Sequence, residues 1–245
     1  MEAIGVIPAR YSSVRFSGKV LADICGKPMI QHVWEQAKKA LLLDDVIIAC
    51  DEESVFAAVG EFGANSVMTA KGHLSGSDRI TEVVSPIEVK VVVNIQADEP
   101  LVKPIMIDSL VETLLRDDSI YMATLIKRIE DNKEINDPNI VKVVVDKNNF
   151  ALYFSRAPIP YRANKTKIKT AYYKHIGLYA YTKDFLFRYK NILPSSLERV
   201  EKLEQLRVLE EGLRIKVIET KFDTIGVDTP EDLERVQQIL FEEQL

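Results

Sequence analysis

The chain has 245 residues, 47% hydrophobic and 28% charged, with ten Gly and ten Pro, a balance that excludes disordered, collagenous and low-complexity classes. A formal net charge of −5 argues against a general nucleic-acid binder. No apolar run exceeds the five residues Val46–Cys50, so no membrane span is expected. The opening Met1-Glu2-Ala3-Ile4 lacks the basic and long apolar regions of a secretory signal, and with Cys25 and Cys50 as the only cysteines a disulfide framework is excluded. A cytoplasmic protein with reduced thiols is the expectation. Two Cys with the scattered His32, His73 and His175 offer no zinc spacing.

In chain order, Ile4–Pro8 reads as a short buried strand, followed by a polar loop to Lys27. Pro28 opens a helix in which Ile30, Val33, Trp34, Ala37 and Leu41 recur at helical spacing. Val46–Cys50 is a second buried strand, with Asp51 as the expected N-cap of a helix over Val55–Phe62. A strand near Ser66–Thr69, a helix from about Ser77, a strand over Val89–Ile95 and a helix from Pro104 to Arg116 complete an alternation that predicts βαβ units and a parallel sheet.

Beyond residue 118 the pattern changes. Met122–Arg128, Ile140–Asp146, Phe150–Phe154 and Tyr172–Tyr181 read as strands with no helices between them, an antiparallel excursion inserted into the parallel sheet. Helices over 183–190 and 196–211, a strand Ile215–Glu219 and a last helix opened by Thr229-Pro230-Glu231 follow. The run Tyr172–Tyr181 carries apolar and aromatic groups on both faces (Tyr173, Ile176, Leu178, Tyr179, Tyr181), more than one sheet face needs, which predicts an isologous dimer interface. One domain over 1–245 is expected, with the antiparallel excursion over about 150–195.

Ligands of α/β proteins bind at the carboxyl ends of parallel strands, so the loops there are the candidates. The first, Pro8 to Lys19, fails the P-loop pattern at Ser13 and Val20, and no Gly-x-Gly follows the strand as a dinucleotide fingerprint requires. It does carry Arg10, Arg15 and Lys19, a set of cations suited to a polyphosphate. Asp98, in Asn94-Ile95-Gln96-Ala97-Asp98-Glu99-Pro100, stands where a carboxylate can hold Mg²⁺, although a turn or cap before Pro100 matches the spacing equally well. In Gly226-Val227-Asp228-Thr229-Pro230, Thr229 is the expected helix cap, leaving Asp228 as a second metal carboxylate. No acidic residue lies between Asp146 and Asp184, a stretch with eight Lys and Arg in which Arg156 and His175 are the candidates for meeting a small anion.

The segments IPARYSSVRFSGKVL, GKPMIQHVWE, HLSGSDRI, VNIQADEP, DPNIVKVVVD, ALYFSRAPIP, KHIGLYAY, LEQLRVLE and GVDTPEDLERV, collinear from Ile4 to Val236, resemble the 3-deoxy-manno-octulosonate (Kdo) cytidylyltransferases. The resemblance implies a Rossmann-like nucleotidyltransferase fold, mostly parallel with helices on both faces and an antiparallel dimerisation segment. It implies transfer of CMP from CTP to Kdo with Mg²⁺, giving CMP-Kdo and pyrophosphate for lipopolysaccharide synthesis, by a homodimer with no nucleic-acid or membrane partner. By motif, Arg10, Arg15 and Lys19 would meet the triphosphate beside the Pro8 and Ala9 backbone, and Ser75, Gly76 and Arg79 would line the cytosine pocket. Asp98 and Asp228 would hold magnesium, with Lys19 and Arg10 as the other catalytic residues. Gln96, Arg156, His175, Tyr179, Glu204 and Gln205 would surround the sugar acid, Gln96 reaching the nucleotide as well.

The chain departs from the family at Ser17 and Val20, where many members have Pro, and at Ala97, where Gly is usual and a left-handed backbone must be avoided. Alternatives left open are a cytidylyltransferase for another sugar acid, such as 8-amino-Kdo or a sialic acid, and a noncatalytic nucleotide-binding protein. The intact Asp98, Asp228 and Lys19 weigh against the second.

Overall fold

The computed structural model describes residues 1–12, 16–73, 75–163 and 171–242. Its first half follows the expected alternation: β1 (Ala3–Ala9), a 3-10 turn (Lys19–Leu21), the small ribbon β2 (Asp23–Ile24) and β3 (Lys27–Pro28), α1 (Met29–Ala37), β4 (Asp45–Cys50), α2 (Glu53–Glu61), β5 (Asn65–Met68), α3 (Gly76–Val84), β6 (Val91–Asn94) and α4 (Pro104–Arg116). Then come β7 (Met122–Arg128), α5 (Asn132–Asn136), β8 (Lys142–Val145), β9 (Ala151–Ser155), β10 (Tyr173–Thr182), α6 (Lys183–Lys190), α7 (Ser196–Glu201), α8 (Leu206–Glu210), β11 (Lys216–Glu219) and α9 (Pro230–Glu242).

The main sheet runs β11-β7-β10-β6-β1-β4-β5. β5, β4, β1 and β6 are mutually parallel, as are β7 and β11, while β10 runs antiparallel between β6 and β7. β8 pairs with the start of β10 and carries β9 on its other side. Strand period two sorts residues onto two cores. Ala3, Ile7, Val46, Ile48 and Val93 pack with Val33 of α1, Val55 of α2 and Leu110 of α4 on one face. Ile4, Val6, Ile47, Ala49 and Val92 meet Ile80 of α3 and Phe185 and Leu186 of α6 on the other. A third cluster, with Ile24, Met29, Leu101, Val227, Val236 and Leu240, fastens the β2 ribbon and α9 beneath the 98–101 loop.

The strands expected beyond residue 118 without helices between them are interrupted by the short α5, whose N-cap Asp131 accepts from Lys133 N, and three further expectations need correction. Asp51 is not the cap of α2: Glu52 holds that position, in extended backbone and with no side-chain cap bond. The helix expected over 196–211 breaks at Lys202, which takes the left-handed conformation (φ 56°) and separates α7 from α8. The third concerns β10. Its apolar side chains are covered by the chain's own helices, Ile176, Leu178 and Ala180 in one core and Tyr181 in the other, so its two-faced character reflects a central strand and requires no partner. Ala97 is not left-handed, as its missing glycine demanded.

Candidate active site

The sheet topology gathers three loops at one edge. β1, β6 and β11 all end there, followed respectively by Lys19, by Asp98 and by the turn to Asp228. Val227 N donates to Asp98 O at 2.9 Å, tying two of these loops together. The third is shaped by Gly18, at φ +72°, whose N–H donates to Tyr11 O at 2.9 Å and delivers the next residue inward. Lys19, only 8% exposed, places its Nζ 2.6 Å from Asp98 Oδ2, 2.9 Å from Asp228 Oδ1 and 2.9 Å from Val227 O. Burial works against this ammonium, but Asp98 and then Asp228 outweigh it, and its pKa lies above the ordinary lysine value.

Asp228 reaches this point because the helix start beside it is capped by others. Thr229 Oγ1 accepts from Asp232 N at 3.3 Å, and Asp232 Oδ2 accepts from Thr229 N at 3.0 Å, a reciprocal box with Thr229 as the expected cap. The donor set around Lys19 Nζ, two carboxylates and a carbonyl, consists of hard oxygens already converging on one cation, which is what a magnesium-sized ion requires. Only two carboxylates converge on this point and no group of three or more His, Cys, Asp or Glu is placed to hold a metal ion among the described residues, so an ion here would complete its shell with water and ligand oxygens. Behind Asp98, burial and then the Asp98 charge push the Glu99 carboxyl up to about 8, against a bond from Thr224 that pulls the other way.

Along the β1 side, Pro8 and Ala9 end the strand and α3 begins against them: a Cβ on Gly76 would stand 3.4 Å from the Pro8 ring. Ser75 caps α3 in a reciprocal box with Asp78. Arg79, 2% exposed, turns its guanidinium to Asp51 Oδ2 at 3.2 Å and to Thr69 Oγ1. Asp51 Oδ1 in turn accepts from Tyr11 N at 3.0 Å. The side chain of Arg79 is thus committed to holding the phosphate-loop candidate in place and does not face an open pocket. Arg10 is exposed at the mouth, and Arg15 lies outside the described residues.

The sugar-side candidates sit where β10 overshoots β6. Tyr179 pairs with Asn94, the last residue of β6, so His175 projects beyond the carboxyl edge alongside the end of β7. Gln96 Nε2 donates to Asn94 Oδ1 at 3.0 Å. The His175 ring packs between Phe154 and Tyr179, and burial pulls its pKa down to about 3, so it is neutral. The break after α7 turns Glu204 and Gln205 inward; Glu204 Oε1 and Gln205 Nε2 are buried without hydrogen-bond partners, although an Arg207 Nη lies 4.0 Å from Glu204 Oε1. Burial raises the Glu204 carboxyl. Arg156 stands farther out: Nε donates to Glu201 O and an Nη to Pro138 O, both at 2.9 Å, and among the described residues no carboxylate pairs with its guanidinium.

Asp51, Glu99 and Thr124 are the site residues that sequence reasoning missed. Asp51 had a usable signal, since it follows a buried parallel strand at the same edge as Asp98. Thr124, a lone hydroxyl in the apolar run Met122–Ile126, offered a fainter one.

A model of the cytidylyltransferase family matches residues 4–215. Similar proteins are the 3-deoxy-manno-octulosonate cytidylyltransferases of Solibacter usitatus (strain Ellin6076), 53% identical over 97% of this chain and 94% of that one, and of Geotalea uraniireducens (strain Rf4), 49% identical over 98% and 99%. A solved structure of CMP:2-keto-3-deoxy-manno-octonic acid synthetase complexed with CTP is similar at a TM-score of 0.94 and 43% identity, covering 99% of this chain and 100% of that one. With the edge loops, the converging carboxylates and this full-length likeness together, the chain belongs to the 3-deoxy-manno-octulosonate cytidylyltransferase family.

Proposed function

We propose that the chain transfers the cytidylyl group of CTP to 3-deoxy-manno-octulosonate, releasing pyrophosphate. The observation that carries this reading is the convergence of Lys19, Asp98 and Asp228, from three separate loops, in a chain that matches a CTP-binding relative from end to end. A sugar hydroxyl oxygen forms the new bond to the α-phosphorus while the bond to the β-phosphate oxygen breaks, and the hydroxyl proton leaves to solvent or a nearby base. Such a displacement needs charge neutralisation and alignment more than covalent help.

Asp98 and Asp228 would hold Mg²⁺, which when bound neutralises phosphate charge and lowers the pKa of a hydroxyl beside it. Arg10 contributes positive charge at the mouth for the triphosphate. Lys19 neutralises the acidic pair and supplies charge for the departing pyrophosphate. Pro8, Ala9, Ser75 and Gly76 form the wall for the cytidine, with Arg79 and Asp51 stiffening it. Gln96, Tyr179, His175, Glu204 and Gln205 receive the sugar acid, and the Arg156 guanidinium, paired with no carboxylate among the described residues, suits its carboxylate. Pyrophosphate release measured across the four nucleoside triphosphates and a panel of sugar acids tests the reading. Turnover should need CTP and be highest with Kdo; preference for 8-amino-Kdo or a sialic acid, or no turnover, would overturn it.

The same reading includes a homodimer, now assigned to a different surface. β9 forms its ladder with β8 and reaches Ile215 O only through Ala151 N, leaving an edge beyond Ala151 among the described residues, with Leu152 60% exposed. Leu193 and Val200, around α7, are 81% and 82% exposed, and Glu201 binds α7 to the end of β9 through Ser155 Oγ at 2.6 Å.

A further inference from the structure

β10 does not pair with β7 evenly. Ile176 lies opposite Leu125 and Tyr179 opposite Thr124, so Gly177 and Leu178 bulge out of the ladder and their neighbourhood loses regular backbone pairing. Thr124, fully buried on β7, fills that gap: its Oγ1 lies 3.1 Å from Ile176 O, 2.9 Å from Leu178 O and 3.0 Å from His175 Nε2. A hydroxyl has one proton and two lone pairs, and a carbonyl can only accept. The threonine proton therefore goes to the bulge carbonyls, and the remaining bond must run from Nε2–H of the imidazole to Oγ1. In a neutral ring a proton on Nε2 leaves Nδ1 bare. Nδ1 has no hydrogen-bond partner among the described residues and is not one of the fully buried unpartnered atoms, so it keeps some solvent contact although most of the ring is buried.

We propose that Thr124 is a positioning residue that locks His175 in the Nε2–H tautomer, so that the imidazole meets the sugar acid through Nδ1 as an acceptor for one of its hydroxyls. A carboxylate, which has no proton to give, is thereby excluded as the partner of His175 and is left to the cationic side of the pocket. The burial that keeps the ring neutral supports this, because an imidazolium would donate from both nitrogens. The bulge is the reason for the arrangement: without Gly177 and Leu178 out of register, no carbonyl would claim the threonine proton. The proposal rests on the sugar acid occupying the His175–Tyr179 side of the site.

Long-range ¹H–¹⁵N NMR at neutral pH tests it on the wild-type chain, which has three histidines. His175 is assigned by the signals missing from His175→Gln, and His32, whose Nε2 faces Ile24 O at 2.8 Å, is the internal reference for the same tautomer. His175 should match His32, with Nε2 protonated and Nδ1 bare. Thr124→Val should release the tautomer and raise KM for the sugar acid about tenfold while KM for CTP stays put, and Thr124→Ser should restore both. Protonated Nδ1 in the wild type overturns the proposal, as does a Thr124→Val protein with altered tautomer and unchanged KM for the sugar. If Thr124→Val does not fold, the wild-type spectrum and the Thr124→Ser kinetics still decide. A wild-type chain that joins CTP to no sugar acid would overturn the functional reading instead, and the tautomer experiment, which needs no turnover, separates the two failures.

Discussion

At the scale of single residues, Lys19 shows how far a side chain's role depends on its neighbours. As a member of a basic loop it suits phosphate; in the fold its ammonium lies between two carboxylates where a metal ion would be held. Removing it should therefore act in opposite directions on two measurements. Lys19→Met should bind Mn²⁺ more tightly than the wild type in the absence of nucleotide, read by electron paramagnetic resonance, because a competing cation is gone. It should also lose turnover, by about 2–4 kcal/mol of transition-state stabilisation. Unchanged Mn²⁺ affinity with unchanged kcat would remove Lys19 from the site. His175 gives a pH prediction. The unfolded imidazole takes a proton as pH falls through its ordinary value near 6.5, whereas the folded ring resists until about 3. The unfolded state thus binds more protons in that window, and stability present at neutral pH is lost on acidification. Denaturant titrations should show the wild type losing on the order of 2 kcal/mol more than His175→Gln between pH 7 and about 5. Parallel losses in the two proteins would contradict the buried, neutral ring.

At the scale of elements, the lesson lies in two helix ends. Asp51 has the composition of an N-cap and the position of one, yet its carboxylate is taken by Tyr11 N and Arg79, partners 40 and 28 residues away in sequence. Because Arg79 is almost fully buried, Asp51→Ala should leave its charge without a carboxylate and cost about 3–5 kcal/mol in equilibrium unfolding. Adding Arg79→Met should recover part of that loss; a single-variant cost below about 1 kcal/mol would mean that the pair does not hold the loop. The α7–α8 break was hidden for a different reason. Helix ends of this kind are usually marked by glycine, and here Lys202 adopts the left-handed conformation itself, its N–H donating to Glu198 O at 2.7 Å. The hydrophobic period runs through the break unchanged, so only tertiary packing reveals that Glu204 and Gln205 sit in a turn.

At the scale of the whole molecule, the position of β10 changes the expected assembly surface. A strand with two apolar faces suits either a dimer interface or a central position, and the sheet order gives β10 the second. Beside the antiparallel excursion, Leu152 on β9 and Leu193 and Val200 around α7 are exposed apolar groups. Leu152→Lys with Val200→Asp should therefore yield a monomer by sedimentation velocity at micromolar concentration without unfolding the chain. A dimer that survives both charges would place the interface elsewhere. Local pattern determined much of this protein: the βαβ succession, the α4 boundaries from Pro104 to Arg116, the Thr229 cap, and the loops that carry Lys19, Asp98 and Asp228. These depend on side-chain periodicity, proline and capping chemistry, which act over a few residues. The order of the strands, the ammonium between the carboxylates, the commitment of Asp51 to Arg79 and the hydroxyl that fixes His175 were decided only by the tertiary structure, because each joins residues tens to hundreds of positions apart, and a hydrogen bond exists only where the fold brings both its partners within about 3 Å.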